Sequence, residues 1–175
     1  MKNNSSSLNG PLDVLHKLER EMHRAFHHEN YTHKLDHLFN FCITSNSIRD
    51  YIFQYLQLTK SEKQNYHKVW NQNLYIKASK DIANGSKHCD IKKIKIINNS
   101  VSSITQVLID DNGVMVTVPL TAPDYTILID KKEVNLYEFT KSVIGFWKVY
   151  LESIGIKYKP QDQKVFFGDK DSIES

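Results

Sequence analysis

The sequence is poor in the residues that staple or punctuate small proteins, with two cysteines, four prolines and six glycines among 175 residues. Cys42 and Cys89 are too few for a disulfide framework, and neither stands in a CxxC pair of the kind that holds structural zinc. No apolar run exceeds a few residues, so no transmembrane helix is expected. The polar start, residues 1–10, lacks the apolar core of a secretory signal, which points to the cytosol. Catalytic signatures are also missing. Asn84-Gly85-Ser86-Lys87 has the lysine of a phosphate loop but neither its preceding glycine nor its strand, and no GxSxG elbow or HExxH pair occurs. Asp110-Asp111-Asn112-Gly113 lacks the spaced ligands and closing Glu of a calcium loop. No cofactor and no obligatory metal are therefore expected.

Charge of one sign is scarce as well. The net charge is +3, low for a dedicated binder of duplex DNA. Its distribution is uneven. Residues 1–90 hold 12 Lys+Arg against 9 Asp+Glu, whereas residues 91–175 hold 11 of each. All eight histidines lie in the first half, so an anionic partner is to be sought there.

The first half reads as helices. Over 11–29, Leu12, Leu15, Leu18, Met22 and Phe26 recur at helical steps after Pro11, with Lys17, Arg20, Glu21 and Arg24 opposite. Thr32 is the expected cap of a second helix over 33–57. Its stripe is Leu38, Phe41, Ser45, Ile48, Ile52 and Tyr55, flanked by Leu35, Phe39, Cys42, Arg49 and Leu56. Cys42 reads as a small core residue. Cys42, Thr44, Ser45 and Ser47 would let a neighbouring helix come close. Thr59 with Glu62 forms a capping box for a short polar helix over 59–70. A fourth helix over 71–88 turns Leu74, Tyr75, Ala78, Ile82 and Ala83 inward.

The pattern then changes to β-branched runs at 91–97, 104–110, 114–118 and 125–129, with a hairpin signal at Asp111-Asn112-Gly113. Pro119 and Pro123 are expected to keep the segment between the later runs out of the sheet interior. Asn135 and Glu138 open a last helix whose face is Leu136, Phe139, Val143, Phe146, Trp147, Tyr150 and Ile154, ended by Gly155. The expected fold is α+β: a four-helix bundle-like part, then three to four antiparallel strands covered by the Trp147 helix. Residues 11–159 would form one domain, with a flexible start at 1–10 and a loosely held tail at 160–175.

One constellation stands out. On a helix, Asp81, Asn84, Gly85 and His88 share a face with buried-looking Ala78 and Leu74. A buried Asp needs a partner, and Arg49, beside an apolar stripe on the second helix, is the candidate. Read functionally, this is a polar site in which His88 moves a proton. Read structurally, it is an Arg49–Asp81 ion pair with Asn84 and His88 as hydrogen-bonding groups.

Arg49-Asp50 on one helix and Lys87-His88 closing another resemble the HEPN family of four-helix domains, found in prokaryotic toxin–antitoxin and phage-defence systems. The run DIANGSKH is also similar to a helix motif of uncharacterised bacterial proteins. The resemblance covers residues 12–90 and implies a metal-independent ribonuclease. HEPN nucleases carry an Arg, a polar residue and then a His a few positions on. Arg49-Asp50 matches the start, while 51–58 holds no His and His27 follows Arg24 too closely. His88 would have to supply the imidazole from the other helix, acting on the 2′-hydroxyl or leaving group while Arg49 steadies the phosphate. Lys87, Asp81, Asn84 and Arg24 would then contact RNA.

Two further readings belong to other classes. His23, His27, His33 and His37 sit at four-residue spacings and, with Asp36 or Glu29, could chelate a metal. Alongside Arg20, Arg24, Tyr31 and Lys34, the same stretch also reads as a solvated polar face or a phosphate-contacting surface. The non-catalytic alternative is a partner-binding or homodimeric protein with a structural Arg49–Asp81 network.

Overall fold

A computed structural model describes residues 8–27, 31–88, 94–109 and 115–161. The fold is α+β. Helices α1 (Pro11–His27), α2 (Tyr31–Tyr55), α3 (Lys60–Trp70) and α4 (Leu74–His88) precede strands β1 (Ile94–Ile109), β2 (Met115–Ile129) and β3 (Lys132–Asn135), and α5 (Leu136–Ser153) closes the order.

The bundle is built from α1, α2, α4 and α5, each packed on two of the others. Its fourth member is thus the last helix, not α3 as the sequence order suggests. The reason is composition. In α3 only Trp70 is buried, and one apolar residue cannot fill a bundle seam. Helix α5 buries Leu136, Phe139, Val143, Ile144, Trp147 and Leu151. Ser45 of α2 receives its Trp147: the Trp147 Nε1 donates to Ser45 Oγ at 3.0 Å, both groups being buried. Cys42 is fully buried, and burial pushes its thiol up to about 12, so it stays protonated.

Helix ends follow local chemistry. Thr59 and Glu62 make the expected capping box: the Thr59 N–H donates to Glu62 Oε2 at 2.8 Å, and the Glu62 N–H to Thr59 Oγ1. Asn135 caps α5, accepting from the Glu138 N–H at 2.7 Å. Two expected starts shift. Helix α2 begins at Tyr31, which puts Thr32 inside its first turn, not at its cap. Helix α4 begins at Leu74 because the Asn73 side chain accepts from the N–H groups of Tyr75 and Ile76, both at 3.1 Å.

The sheet has three antiparallel strands in the order β1-β2-β3. Strand β2 runs through Pro119 and Pro123 and joins the two later runs into one strand, with both prolines outside the sheet interior as expected. Its second edge meets β3 only from Thr126 to Ile129, so both prolines lie where the missing N–H leaves no ladder bond to β3 unmade. Pro123 also lies opposite the register shift between Asn99 and Ser102, a bulge of two residues against one. Asp130 and Lys131 join β2 to β3 with φ of 47° and 70°, the mirror-image geometry that matches strand twist. The Asp111-Asn112-Gly113 turn lies outside the described residues. Ile127, Ile129 and Val134 join the helical core beneath α5.

The chain beyond α5 is fastened to α1. Tyr158 donates to Glu19 at 2.8 Å, Lys148 pairs with Glu19 at 2.7 Å, and Lys148 sits 3.9 Å from the Tyr158 ring centre. Burial alone would lower the Lys148 ammonium, but hydrogen bonds to Glu19 and Tyr158 hold it above its ordinary value. His16 Nε2 donates to the Lys159 carbonyl at 2.8 Å, and Arg20 to Gln161 Oε1 at 2.8 Å. The segment to Gln161 is therefore held, where a loose tail from 160 was expected. Residues 162–175, with Val165, Phe166 and Phe167, lie outside the described residues. At the other end Leu8 packs on the core, so the ordered chain starts before Pro11.

Helices α2 and α5 end in the same motif with different residues. The Leu58 N–H reaches the Phe53 carbonyl and the Gln57 N–H that of Gln54. The Ile156 and Gly155 N–H groups do the same to Leu151 and Glu152. The left-handed position is Gly155 at φ 87° but Gln57 at φ 52°. A side chain there costs about 1 kcal/mol. Gln57→Gly is expected to raise the thermal midpoint by about 2–4 °C and Gly155→Ala to lower it similarly. Melting curves of the two variants measure both shifts.

Candidate functional site

Arg49 lies on α2, inside the bundle wall. Its neighbours along the helix, Ile48 and Ile52, are fully buried, and Arg49 itself is 2% exposed. Its guanidinium carbon stands 5.6 Å from the centre of the Trp70 ring. Trp70, the single buried residue of α3, also meets Phe53 at 5.4 Å, Tyr66 at 5.5 Å, His67 at 5.9 Å, Trp147 at 5.5 Å and Tyr150 at 5.4 Å. An aromatic wall thus backs the cation on one side.

The expected ion pair is not formed. Asp81 pairs with Lys77 one turn earlier on α4, at 3.1 Å, and is partly exposed. Arg49 Nε and Nη1 are buried with no hydrogen-bond partner, and no described carboxylate stands within ion-pair distance of the guanidinium. Burial pulls the Arg49 pKa down to about 10, against the nearby Asp50 and then Asp81, which favour its charge. At neutral pH it remains a cation.

His67 is the group that sequence reasoning missed. It sits on α3, packed edge-on against Phe53 at 5.0 Å, and its Nδ1 is buried without a partner. Burial lowers its pKa, and the charges of Arg49 and Lys80 lower it further, with Asp50 opposing. The imidazole is therefore held neutral. Its signal was weak, since α3 is mostly polar and His67 precedes Trp70 by one helical turn. Only the burial of Trp70 turns that face toward α2.

The other sequence-derived residues separate. Asp50 and Asn84 are exposed, and Gly85, which shares Asn84's helix, is buried. The side chains of Lys87 and His88 lie outside the described residues, as does Cys89. Arg24 belongs elsewhere: it pairs with Glu21 at 2.7 Å, and His37 Nδ1 donates to the other Glu21 oxygen at 3.0 Å. Glu21, expected on the outer face of α1, is buried at the α1–α2 seam, where these two partners satisfy it. The histidine stretch is thus partly structural, with His37 on Glu21 and His16 on Lys159. Among the described residues no group of three ligands could hold a metal ion; the His27 side chain and Glu29 lie outside them. A shallow groove of about 490 Å³ runs between the start of α4 and α5, lined by Asn73, Tyr75, Gly145, Phe146 and Tyr150, and takes in none of the sequence-derived site residues.

No family model, curated protein or solved structure matches the chain. The HEPN-like resemblance therefore rests on its residues alone.

An unpaired buried cation is destabilising, so replacing it with an apolar residue of similar length should help the fold. Arg49→Met is expected to stabilise the protein by about 1–3 kcal/mol in dilute, phosphate-free buffer. Loss of a structural ion pair would instead cost roughly 3–5 kcal/mol. Urea unfolding separates the two outcomes by sign.

His67 gives a pH signature. Its folded pKa is below its unfolded value, so on acidification the unfolded chain takes up the proton first. The stability present above the ordinary histidine range is lost as pH falls through the folded pKa. His67→Phe is expected to lose less stability than the parent between pH 7 and 5. Thermal melts across that range provide the comparison.

Proposed function

We propose that the chain is an RNA-directed module with a HEPN-like helical half, acting as a metal-independent endoribonuclease. The observation that carries this reading is Arg49, buried against Trp70 with its Nε and Nη1 unpartnered among the described residues and a neutral imidazole, His67, in its field. A structural arginine is normally paired. One kept unpaired in a protein wall is poised for an external anion, and the RNA backbone carries one per nucleotide.

The chemistry needs two groups. A neutral imidazole accepts the proton of a 2′-hydroxyl as that oxygen attacks the neighbouring phosphorus. The P–O5′ bond breaks, and the proton passes to the leaving 5′-oxygen. The guanidinium balances the charge gathering on the phosphoryl oxygens. In this reading His67 takes the part that the sequence assigned to His88, with Arg49 and Asp50 the flanking pair. The non-catalytic alternative leaned on an Arg49–Asp81 ion pair, and that pair is not made.

The test is incubation of the purified chain with single-stranded RNA in excess EDTA. Cleavage leaving a 2′,3′-cyclic phosphate is expected, slowed about 10²–10⁴-fold by His67→Asn. His88→Ala is run in parallel and should leave most of the rate. Intact RNA, with none retained on the immobilised protein at low salt, refutes the reading.

A further inference from the structure

The sheet has two free edges, and they differ. Strand β3 meets β2 only from Thr126 to Ile129, so from Met115 to Tyr125 the sheet is two strands wide. Among the described residues no strand lies beyond β1. A two-stranded ribbon is marginal in water, and a third strand is one of the things that makes it stable. Pro119 stands opposite Thr105 in an unbroken stretch of ladder. Proline has no N–H, so its nitrogen belongs on the side away from β1. The free edge of β2 is thereby blunted, a common protection of edge strands. The edge of β1 has no such protection. After the bulge between Asn99 and Ser102, residues 102–109 pair with β2 without a break. They include no proline and no charged residue.

Alternation along the ladder identifies the open groups. With Thr105 and Pro119 as a non-hydrogen-bonded pair, Ile104, Gln106 and Leu108 exchange bonds with β2. The backbone N–H and C=O groups of Ser103, Thr105, Val107 and Ile109 then face outward. These four positions are symmetric about Gln106. An antiparallel second copy centred there sets Ser103 against Ile109 and Thr105 against Val107, and uses every outward donor and acceptor. Any other centre runs part of the set into the bulge or past Ile109. The same register places Ile104 opposite Leu108 and Gln106 opposite its own copy, and no like charges meet along residues 102–109. A two-fold interface demands this kind of self-complementarity.

We infer that the β1 edge is an interface for a second copy of this chain, paired antiparallel about Gln106. The two three-stranded sheets become one sheet of six strands. Its outer edges carry the prolines of β2, so assembly stops at the dimer.

The test is sedimentation of the full chain across micromolar concentrations, together with cysteine cross-linking. A monomer–dimer equilibrium is expected, with no larger species. Val107→Pro removes an outward N–H on each copy and should weaken the dimer about tenfold or more. Thr117→Pro, the same change on the unused edge of β2, should leave it intact. Circular dichroism melts show whether the helical core of each variant stays folded. Cross-linking fixes the register without relying on proline variants. Gln106→Cys, made in a Cys89→Ser chain, is expected to form an interchain disulfide under mild oxidation. Non-hydrogen-bonded neighbours bring Cα atoms to about 4.5 Å, within disulfide range. Leu108→Cys in the same background stands four positions out of step with its own copy and should stay reduced. A monomer at every concentration, a dimer indifferent to Val107→Pro, equal loss with Thr117→Pro, or cross-linking at Leu108→Cys as readily as at Gln106→Cys overturns the proposal.

Discussion

Trp70 is the contact on which the arrangement depends. A helix as short and polar as α3 has little reason to stay docked, and Trp70 is its single buried residue. One indole therefore fixes the helix against the bundle. Burying a side chain of this size contributes a few kcal/mol. Everything distinctive near the site follows from that docking. It covers Arg49, it brings His67 to the same wall, and it links α3 to α5 through Trp147 and Tyr150. Tyr150 records the enclosure, its phenol pushed up to about 12 by burial.

The seam so formed encloses a charge that no described carboxylate pairs. A guanidinium in an aromatic wall without a carboxylate partner weakens the free fold. Glu21 shows the opposite arrangement in the same bundle. It too is a buried charge, but Arg24 and His37 engage both of its oxygens, so its role is confined to holding α1 on α2. The contrast between a satisfied and an unsatisfied buried charge separates architecture from site more clearly than charge counts do.

What could be read from the residues was local. The capping box at Thr59, the cap at Asn135, the stop at Gly155 and the buried Cys42 each depend on a few neighbours and follow from spacing. What could not be read was relational. Asp81 has Lys77 one turn away, and a short-range partner on the same helix is easier to hold than one across a seam. That choice left Arg49 alone, and nothing in its flanking residues announces it. His67 escaped notice because its surroundings come from α2, fourteen to eighteen positions earlier in the chain. Pro119 and Pro123 marked a stretch outside the sheet interior, but not that one strand runs through it, since a proline's effect depends on which edge of a strand is paired and β3 is too short to reach them.

The order of the bundle has a consequence for how the chain folds. Its fourth wall is α5, and the fastening on α1 runs through Tyr158, Lys159 and Gln161. The first helix therefore waits for residues about 140 positions later, as the separations of these contacts show. Contacts of such span slow folding, because a long loop must be closed before they reward it. During synthesis, Leu15, Leu18, Phe41 and Ile48 remain without their final cover until the hairpin and α5 have left the ribosome. The helical half is thus not a free-standing unit but an open mould that the last third of the chain shuts.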